Sequence, residues 1–190
     1  MRKLSVYLSY LLRHHPEDAG LDMDIHGWVP VDDLIEGVNR QGKYTLDRDR
    51  LERLVAEDSQ GRDRVNEDRS RIRCCQGHSS PWVLPERTWG EPPRYLYHGT
   101  TTAALEQIEA DGAIRKMKRH AVHMQADEAQ ALRSAERWRL TPVVLKIDAG
   151  TMAADGYAFG MADNGVWCTE SVPVKYICGR LYQRGNRSAR

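Results

Sequence analysis

The stretch LPERTWGEPPRYL, residues 84–96, gathers Pro85, Gly90, Pro92 and Pro93 into one short run. Proline withholds an amide and fixes φ, so neither a helix nor a central strand passes through such a run unbroken. The run divides a chain of 190 residues into two parts of about 90 residues, each able to enclose a small core. We place the linker there, with domains at residues 1–88 and 94–190.

The two parts carry different periodicities. In the first, Leu4, Leu8, Leu11 and Leu12 fall on one helical face, and Pro16 forces His15 out of the helical region. Gly27 marks a tight turn, Trp28–Val31 is a short extended piece, and Asp32 is the expected N-cap of a helix carrying Leu34, Ile35 and Val38. Thr45 is the expected cap of a third helix with Leu46, Leu51, Leu54 and Val55 inward, and RDRVNEDRSRIRCC reads as a hairpin turning at Asn66–Ser70. Three helices and a β-ribbon point to a winged-helix lobe.

The second part opens with a strand at Tyr95–His98. A helix follows, capped from Thr100–Thr102 and closed by Gly112. AVHM reads as a strand and DEAQALRSAERW as a helix with Leu132 and Ala135 inward. PVVLKID, YAFGM, GVWCTE and VKYICGRLY supply four more strands, and TESVP reads as a turn. A β-rich lobe with two short helices makes the whole chain α+β.

Lys and Arg total 28 against 27 Asp and Glu, a net charge of +1, so the whole field does not draw the protein to a polyanion. Any such contact needs a local patch, and Arg62–Arg73 concentrates five arginines, with three more beyond Arg180. Cys74, Cys75, Cys168 and Cys178 lack zinc-ligand spacing, which argues for a reduced, intracellular protein without a metal. With no long apolar run and no leader-like segment, we expect a cytoplasmic protein with no membrane contact.

Phosphate-binding loops, dinucleotide fingerprints, nucleophile elbows and zinc-protease motifs are all missing. What remains is a scatter of cations. Arg13 and His14 close a helix, where compensation of its dipole is the plainer explanation. Arg71 and Arg73 share one face of a strand, which alone reads as a solvated hairpin. His78 sits among small loop residues and could serve turn backbone groups. His98 precedes Gly99, where a backbone can approach a ligand, or it is a buried histidine bonded to a carbonyl. His123 follows the basic run Lys118, Arg119, His120. Together these cations, drawn from both parts, suit a bound phosphate, which guanidinium groups hold bidentately.

Seven blocks in order, LSYLLRHHP, GLDMDIHGWVPVDDLI, RIRCCQGHS, LYHGT, KRHAVHM, VVLKIDA and DNGVWCTESVPVKYI, resemble the signatures of the tRNA 2′-phosphotransferases from Leu4 to Tyr176. The resemblance implies an N-terminal winged-helix RNA-binding lobe and a C-terminal ADP-ribosyltransferase-like lobe that binds NAD⁺, consumed as a co-substrate. It implies transfer of an internal RNA 2′-monophosphate to ADP-ribose, leaving 2′-OH RNA, nicotinamide and ADP-ribose 1″,2″-cyclic phosphate. The catalytic group falls on Arg13, His14, Arg73 and Arg119, with Arg71 as the alternative to Arg73. Arg71, Gln76, His78 and Lys118 are assigned to RNA. Cofactor contacts fall on His98, Gly99, Thr100, His123, Asn164 and Val166, with Phe159 either stacking on a ring or simply packing. Val166, Cys168 and Glu170 would alternate onto one strand face, with Glu170 placed outside the ribose site.

Two blocks depart from the family pattern. Adjacent Cys74 and Cys75 follow Arg73 and raise the prospect of oxidation sensitivity, and Gln125 replaces a hydroxyl near the cofactor. The expected partners are tRNA-like RNA carrying a 2′-phosphate and NAD⁺, and the expected state is a monomer. Two rival readings remain. One is an ADP-ribosyltransferase that modifies terminal phosphates of RNA or DNA without a second step, and the other is a non-catalytic RNA-binding module.

Overall fold

A computed structural model describes residues 2–138 and 140–182. The tail arginines Arg184, Arg187 and Arg190, and the end of the 94–190 domain, lie outside the described residues. The fold is α+β and resolves into two compact units. The first holds the chain up to Glu86 together with Lys118–His120 and Ala162–Asn164, and the second holds Arg87–Met117, Ala121–Met161 and the chain from Gly165 on. A cut at residues 88–94 therefore leaves two three-residue segments on the far side of it.

In the first unit, α1 (Arg2–Arg13) buries Leu4, Leu8, Leu11 and Leu12. It stops where His15 takes φ −141°, ahead of a 3-10 turn over Pro16–Ala19. Strand β1 (Val29–Pro30) runs straight into α2 (Val31–Arg40). This removes Asp32 from the expected capping position: Pro30 precedes the helix, and Asp32 and Asp33 lie inside its first turn, where they favour the dipole. The cap of α3 (Arg48–Ala56) is Asp47, which accepts from the Arg50 amide at 2.8 Å, rather than Thr45. Leu46 is buried just before the helix, so the chain turns after it and not before.

The hairpin of β2 (Asp63–Val65) and β3 (Arg71–Cys74) turns over Asn66–Ser70 as expected, and β3 also pairs with β1. Its register sets Asp63 opposite Cys74, Arg64 opposite Arg73 and Val65 opposite Ile72. Ile72 joins Leu11, Leu12, Val29, Leu34, Val38 and Leu51 in the first core.

Among the described residues the second unit holds three sheets. Strands β5 (Tyr95–Thr101), β8 (Pro142–Asp148) and β12 (Ile177–Tyr182) form one, in the order β12-β8-β5. The second has the order β4-β9-β10-β7, from β4 (Thr88–Trp89), β7 (Val122–Met124), β9 (Gly160–Met161) and β10 (Trp167–Thr169). The third pairs β6 (Ala113–Arg115) with β11 (Ser171–Pro173). Helix α4 (Thr102–Asp111) is capped by Thr101, which accepts from Ala104, and is closed by Gly112 at φ 70°. Helices α5 (Glu128–Ala135) and α6 (Ala149–Ala154) complete the unit.

Several expectations change here. The unit has three helices among the described residues, because α6 leaves β8 directly with Asp148 as its cap and is too short to show a period. TESVP is largely β11 rather than a turn; two-stranded pairing tolerates Pro173, since an edge strand needs few donors. YAFGM shrinks to β9, VKYICGRLY begins with a 3-10 turn at Val174–Tyr176, and part of the linker is β4. In α5 the buried residues are Ala131 and Ala135, with Leu132 half-buried.

The packing of α5 on β5 explains Gly99. A Cβ at this position would lie 2.1 Å from the Ala131 carbonyl oxygen and 3.2 Å from the Ala135 amide nitrogen, both helix backbone. Neither atom can swing aside as a side-chain tip does, so the glycine sets how closely helix and strand approach. We expect Gly99→Ala to lower the urea-unfolding free energy by about 1–3 kcal/mol. Gly90→Ala, where nothing lies within 4 Å, should leave it unchanged.

Candidate functional site

The arginine-rich hairpin is not an open cationic patch. Arg62 pairs with Asp58, Arg64 with Asp163, Arg69 with Glu52 and Arg71 with Asp24. Arg73 pairs with both Glu86 and Asp163. All five arginines of Arg62–Arg73 are thus matched by carboxylates.

Arg73 is the most constrained of them. It is 4 % exposed, its Nη1 donates to Glu86 at 2.5 Å, and its Nη2 donates to Asp163. The guanidinium carbon lies 4.4 Å from the centroid of a Trp28 ring. Asp163 uses its second oxygen on Arg64 at 3.1 Å. Since Arg64 and Arg73 face each other across the hairpin, this one carboxylate offsets a like-charge cross-strand pair. Arg71 takes a separate position, 2.8 Å from the Asp24 Oδ2 whose partner oxygen accepts the His26 and Trp28 amides. The hairpin alternation is real, but the two arginines are held by different carboxylates.

Arg13 and His14 behave otherwise. Among the described residues neither Arg13 nor Arg119 has a carboxylate in ion-pair range. Arg13 donates Nε–H to Sγ of Cys74 at 2.7 Å, while its Nη2 is buried without a partner. His14 is exposed and holds the Ser79 hydroxyl at 3.0 Å through Nδ1. The Ser79 amide also bonds to the Arg13 carbonyl at 3.0 Å, tying the loop after β3 to the end of α1. His120, beside Arg119, places Nε2 3.0 Å from the Ser80 carbonyl. One short loop therefore touches Arg13, His14 and His120.

Electrostatic repulsion couples the members of this group. Partial burial, then the charges on Arg13, His15 and Arg119, hold the His14 imidazole below its ordinary value. Burial and Arg13 likewise hold Arg119 below its own. His78 is 1 % exposed, and both of its ring nitrogens lack partners. Burial first, then Arg13, His120, His14 and Arg73, pushes it down to about 4. Gly27, at φ 82°, leaves room for the ring: a Cβ there would sit 2.8 Å from Nε2 of His78. His78 is thus not a turn-satisfying loop residue but a buried, neutral imidazole among cations.

Buried side-chain atoms without partners are concentrated here. Among the described residues they belong to Arg13, Asp63, Arg73, His78 and Asn164, all in the first unit. Unmatched buried donors are costly. Those of Arg13 and Arg73, with the His78 ring, fit an anion that supplies the missing acceptors, whereas Asp63 Oδ1 and Asn164 Oδ1 are acceptors that an anion does not satisfy. Gln76 is half-buried in the same loop and Lys118 is exposed. Asn164, expected with the cofactor group, packs in the first unit, its Nδ2 3.5 Å from the Gln60 carbonyl.

The second unit assembles its own group. Nδ1 of His98 lies 2.9 Å from the His123 carbonyl, and β7 sets His123 opposite Cys168, two residues after buried Val166. Tyr97 exchanges both backbone bonds with Gln125 at 2.8 Å. By strand alternation the Gly99 amide and carbonyl then point to that same side, whereas those of Thr100 point into the ladder with β8. Thr100 itself is buried. Phe159 lies in the second core, which leaves the packing reading. Glu170 is exposed and paired with Lys116; β10 ends at Thr169, so the alternation from Val166 and Cys168 does not reach it. The thiols beside Arg73 are poorly suited to oxidation. Burial raises Cys74 well above its ordinary value and pushes Cys75 up to about 12, so neither is a thiolate near neutrality.

Among the described residues one His/Asp/Glu group has metal-like spacing: His15, Glu17 and Asp18, all exposed. No helix among the described residues is long and apolar enough to cross a membrane. Residues missed in the sequence are Glu86, Asp163, Trp28, Ser79 and His120; five clustered arginines were the signal that acceptors had to be found for them.

Residues 1–171 match the family model described as RNA 2′-phosphotransferase, Tpt1 / KptA family. Three proteins, each carrying the name "Probable RNA 2'-phosphotransferase", are similar over most of their length. The Agrobacterium fabrum protein is 46% identical over 173 residues, 91% of this chain and 91% of that protein. The Streptomyces coelicolor protein is 44% identical over 177 residues, 92% and 93%. The Burkholderia lata protein is 42% identical over 175 residues, 92% and 89%. A crystal structure of a Caulobacter crescentus protein aligns with 46% of this chain and 84% of its own at 16% identity and TM-score 0.37, too distant to bear on the fold.

Two outcomes follow from the buried charges. Asp163→Ala leaves Arg64 and Arg73 opposed and should cost on the order of 3 kcal/mol in urea unfolding. Arg64→Ala, at a half-exposed pair, should cost under about 1 kcal/mol. The second concerns His78, whose folded value near 4 lies below its ordinary 6.5. Between these values the unfolded chain binds more protons, so stability is full above the ordinary value and falls as pH drops toward 4. His78→Gln should remove about 2 kcal/mol of the loss in unfolding free energy between pH 7 and pH 5, read from paired denaturation curves.

Proposed function

The chain belongs to the RNA 2′-phosphotransferase family, and we propose that it removes an internal 2′-monophosphate from RNA by NAD⁺-dependent transfer to ADP-ribose. On this reading the first unit is the winged-helix RNA-binding lobe and the second the ADP-ribosyltransferase-like lobe. The observation that carries the proposal is the set of unpartnered buried side-chain nitrogens on Arg13, Arg73 and His78, beside Arg119, whose charge no carboxylate offsets among the described residues. A phosphate dianion supplies acceptors and negative charge together.

A phosphate dianion is already a nucleophile, so transfer to the ribose carbon supplied by NAD⁺ needs orientation rather than a base. Arg13 and Arg119 orient the phosphate. Arg73, whose two terminal nitrogens are engaged by Glu86 and Asp163, acts from a fixed position behind them. His98, His123, the Gly99 backbone and Val166 are the residues that would hold NAD⁺. In the second step a ribose hydroxyl attacks phosphorus, negative charge grows on the equatorial oxygens, and fixed guanidinium groups stabilise it.

His14 protonates the departing RNA 2′-oxygen in this scheme. Ser79 engages Nδ1, which leaves Nε2 for the substrate. In the free protein the imidazole sits below its ordinary value, and a bound dianion opposes the cations that hold it there. The alkaline limb of kcat should therefore lie at higher pH than that of kcat/KM, and His14→Ala should accumulate ADP-ribosylated RNA.

The decisive assay mixes the protein, NAD⁺ and an oligonucleotide with one internal 2′-phosphate. Nicotinamide, 2′-OH product and ADP-ribose cyclic phosphate are expected, with Arg13→Ala lowering kcat at least about 100-fold. Nicotinamide release without the cyclic product would favour ADP-ribosylation of terminal phosphates. No release at all would favour a binding module.

A further inference from the structure

The loop that touches the cations also displays apolar surface. Trp82 and Leu84 are 49 % and 55 % exposed, and Ile25 is 51 % exposed. Between them Val83 is fully buried in the first core, so neighbouring side chains alternate outward from an anchored residue. The segment is held at several points. The Leu84 amide bonds to the Ile25 carbonyl at 2.7 Å, His26 Nδ1 lies 3.1 Å from the Leu84 carbonyl, and the Val83 amide bonds to the Ser80 carbonyl at 3.2 Å. These exposed groups sit on a backbone that is pinned in place, which makes the patch a persistent feature of the surface.

We propose that Trp82, flanked by Ile25 and Leu84, is a stacking platform for a nucleobase next to the 2′-phosphorylated residue of the RNA. The inference rests on the RNA reading above and extends it to base contact. Ser79 and Ser80 bond to His14 and His120, and Trp82 follows Ser80 by two residues. Its Cα therefore lies within about 7 Å of the Ser80 Cα. A phosphate held by Arg13, His14 and Arg119 brings the bases of its own and adjoining nucleotides into that range. An indole offers a broad face that stacks on any base. The cations near the patch, Lys118 and Arg119, form no carboxylate ion pair among the described residues, and Glu86, two residues beyond Leu84, is engaged by Arg73. This suits a polyanion better than a protein interface, whose core is depleted of charge.

The test uses the full-length protein with oligonucleotides in which the nucleotide flanking the 2′-phosphate is either intact or abasic. Trp82→Ala should raise KM for the intact oligonucleotide by about 5- to 100-fold, with the effect on KM rather than kcat, and Trp82→Phe should recover most of it. The abasic oligonucleotide should show the same weakening with the wild-type protein and no further weakening with Trp82→Ala. Direct binding of both oligonucleotides, followed by anisotropy without NAD⁺, should give the same pattern. An unchanged affinity in Trp82→Ala, or an equal loss on intact and abasic RNA, overturns the platform and assigns the patch to a protein partner or to structure. If wild-type protein binds both RNAs but releases no 2′-phosphate, the functional reading fails while the binding arm still judges the platform.

Discussion

A buried guanidinium organises the first unit. Arg73 is removed from water on a strand whose neighbours are core residues, and the desolvation of a charge is tolerated only with matched acceptors. Those acceptors come from distant parts of the chain: Glu86 at the end of the helical half, Asp163 from between β9 and β10, and the ring of Trp28 against the guanidinium. The demand of one side chain therefore fixes three loops. It accounts for Ala162–Asn164 joining a unit otherwise built from the first 86 residues.

That arrangement sorts the cations into two kinds. The hairpin arginines are neutralised one by one, so their density in the sequence does not become a surface potential. Arg13 and Arg119 form no carboxylate ion pair among the described residues; the Arg13 charge is favoured by Cys74 and by Asp63, whereas Arg119 is under pressure from Arg13. On the proposed reading, this pressure on Arg119 is a cost in the free protein that a bound phosphate would relieve. Such relief would concentrate binding energy on the group that is transferred, because the attraction grows as negative charge develops there.

Much of the scaffold was legible because it follows local rules. Pro16 ends α1, Thr101 and Gly112 bracket α4, and the turn at Asn66–Ser70 sets the hairpin register. Illegible features were those decided by tertiary contact. Asp32 and Asp47 are equally good caps in isolation; the pairing of β1 and the burial of Leu46 decide which one caps. The helix α6 and the strands β6 and β11 are too short for periodicity to register. Gly99 read as a place for a ligand, yet the close approach it permits on its face is to the backbone of α5. Of the site, the cations could be named from the sequence blocks, but their state of pairing could not. Arg71 and Arg73 look alike two residues apart on β3, and only the positions of Asp24, Glu86 and Asp163 distinguish them.

His78 shows how such a site is kept ready at a cost to stability. A neutral imidazole with two unmatched nitrogens is an unfavourable thing to bury, and an apolar side chain of similar shape would relieve that cost. Its position, behind Gly27 and within the field of Arg13 and His14, prevents it from charging near neutral pH. A protonated His78 would add a further positive charge to a group already repelling itself. Kept neutral, it offers a donor or an acceptor according to its tautomer, so on the proposed reading the loop from Gln76 to Ser80 would meet an incoming phosphate without increasing that repulsion. Burial thus sets the protonation state of His78, and that state determines how many cations can share the site.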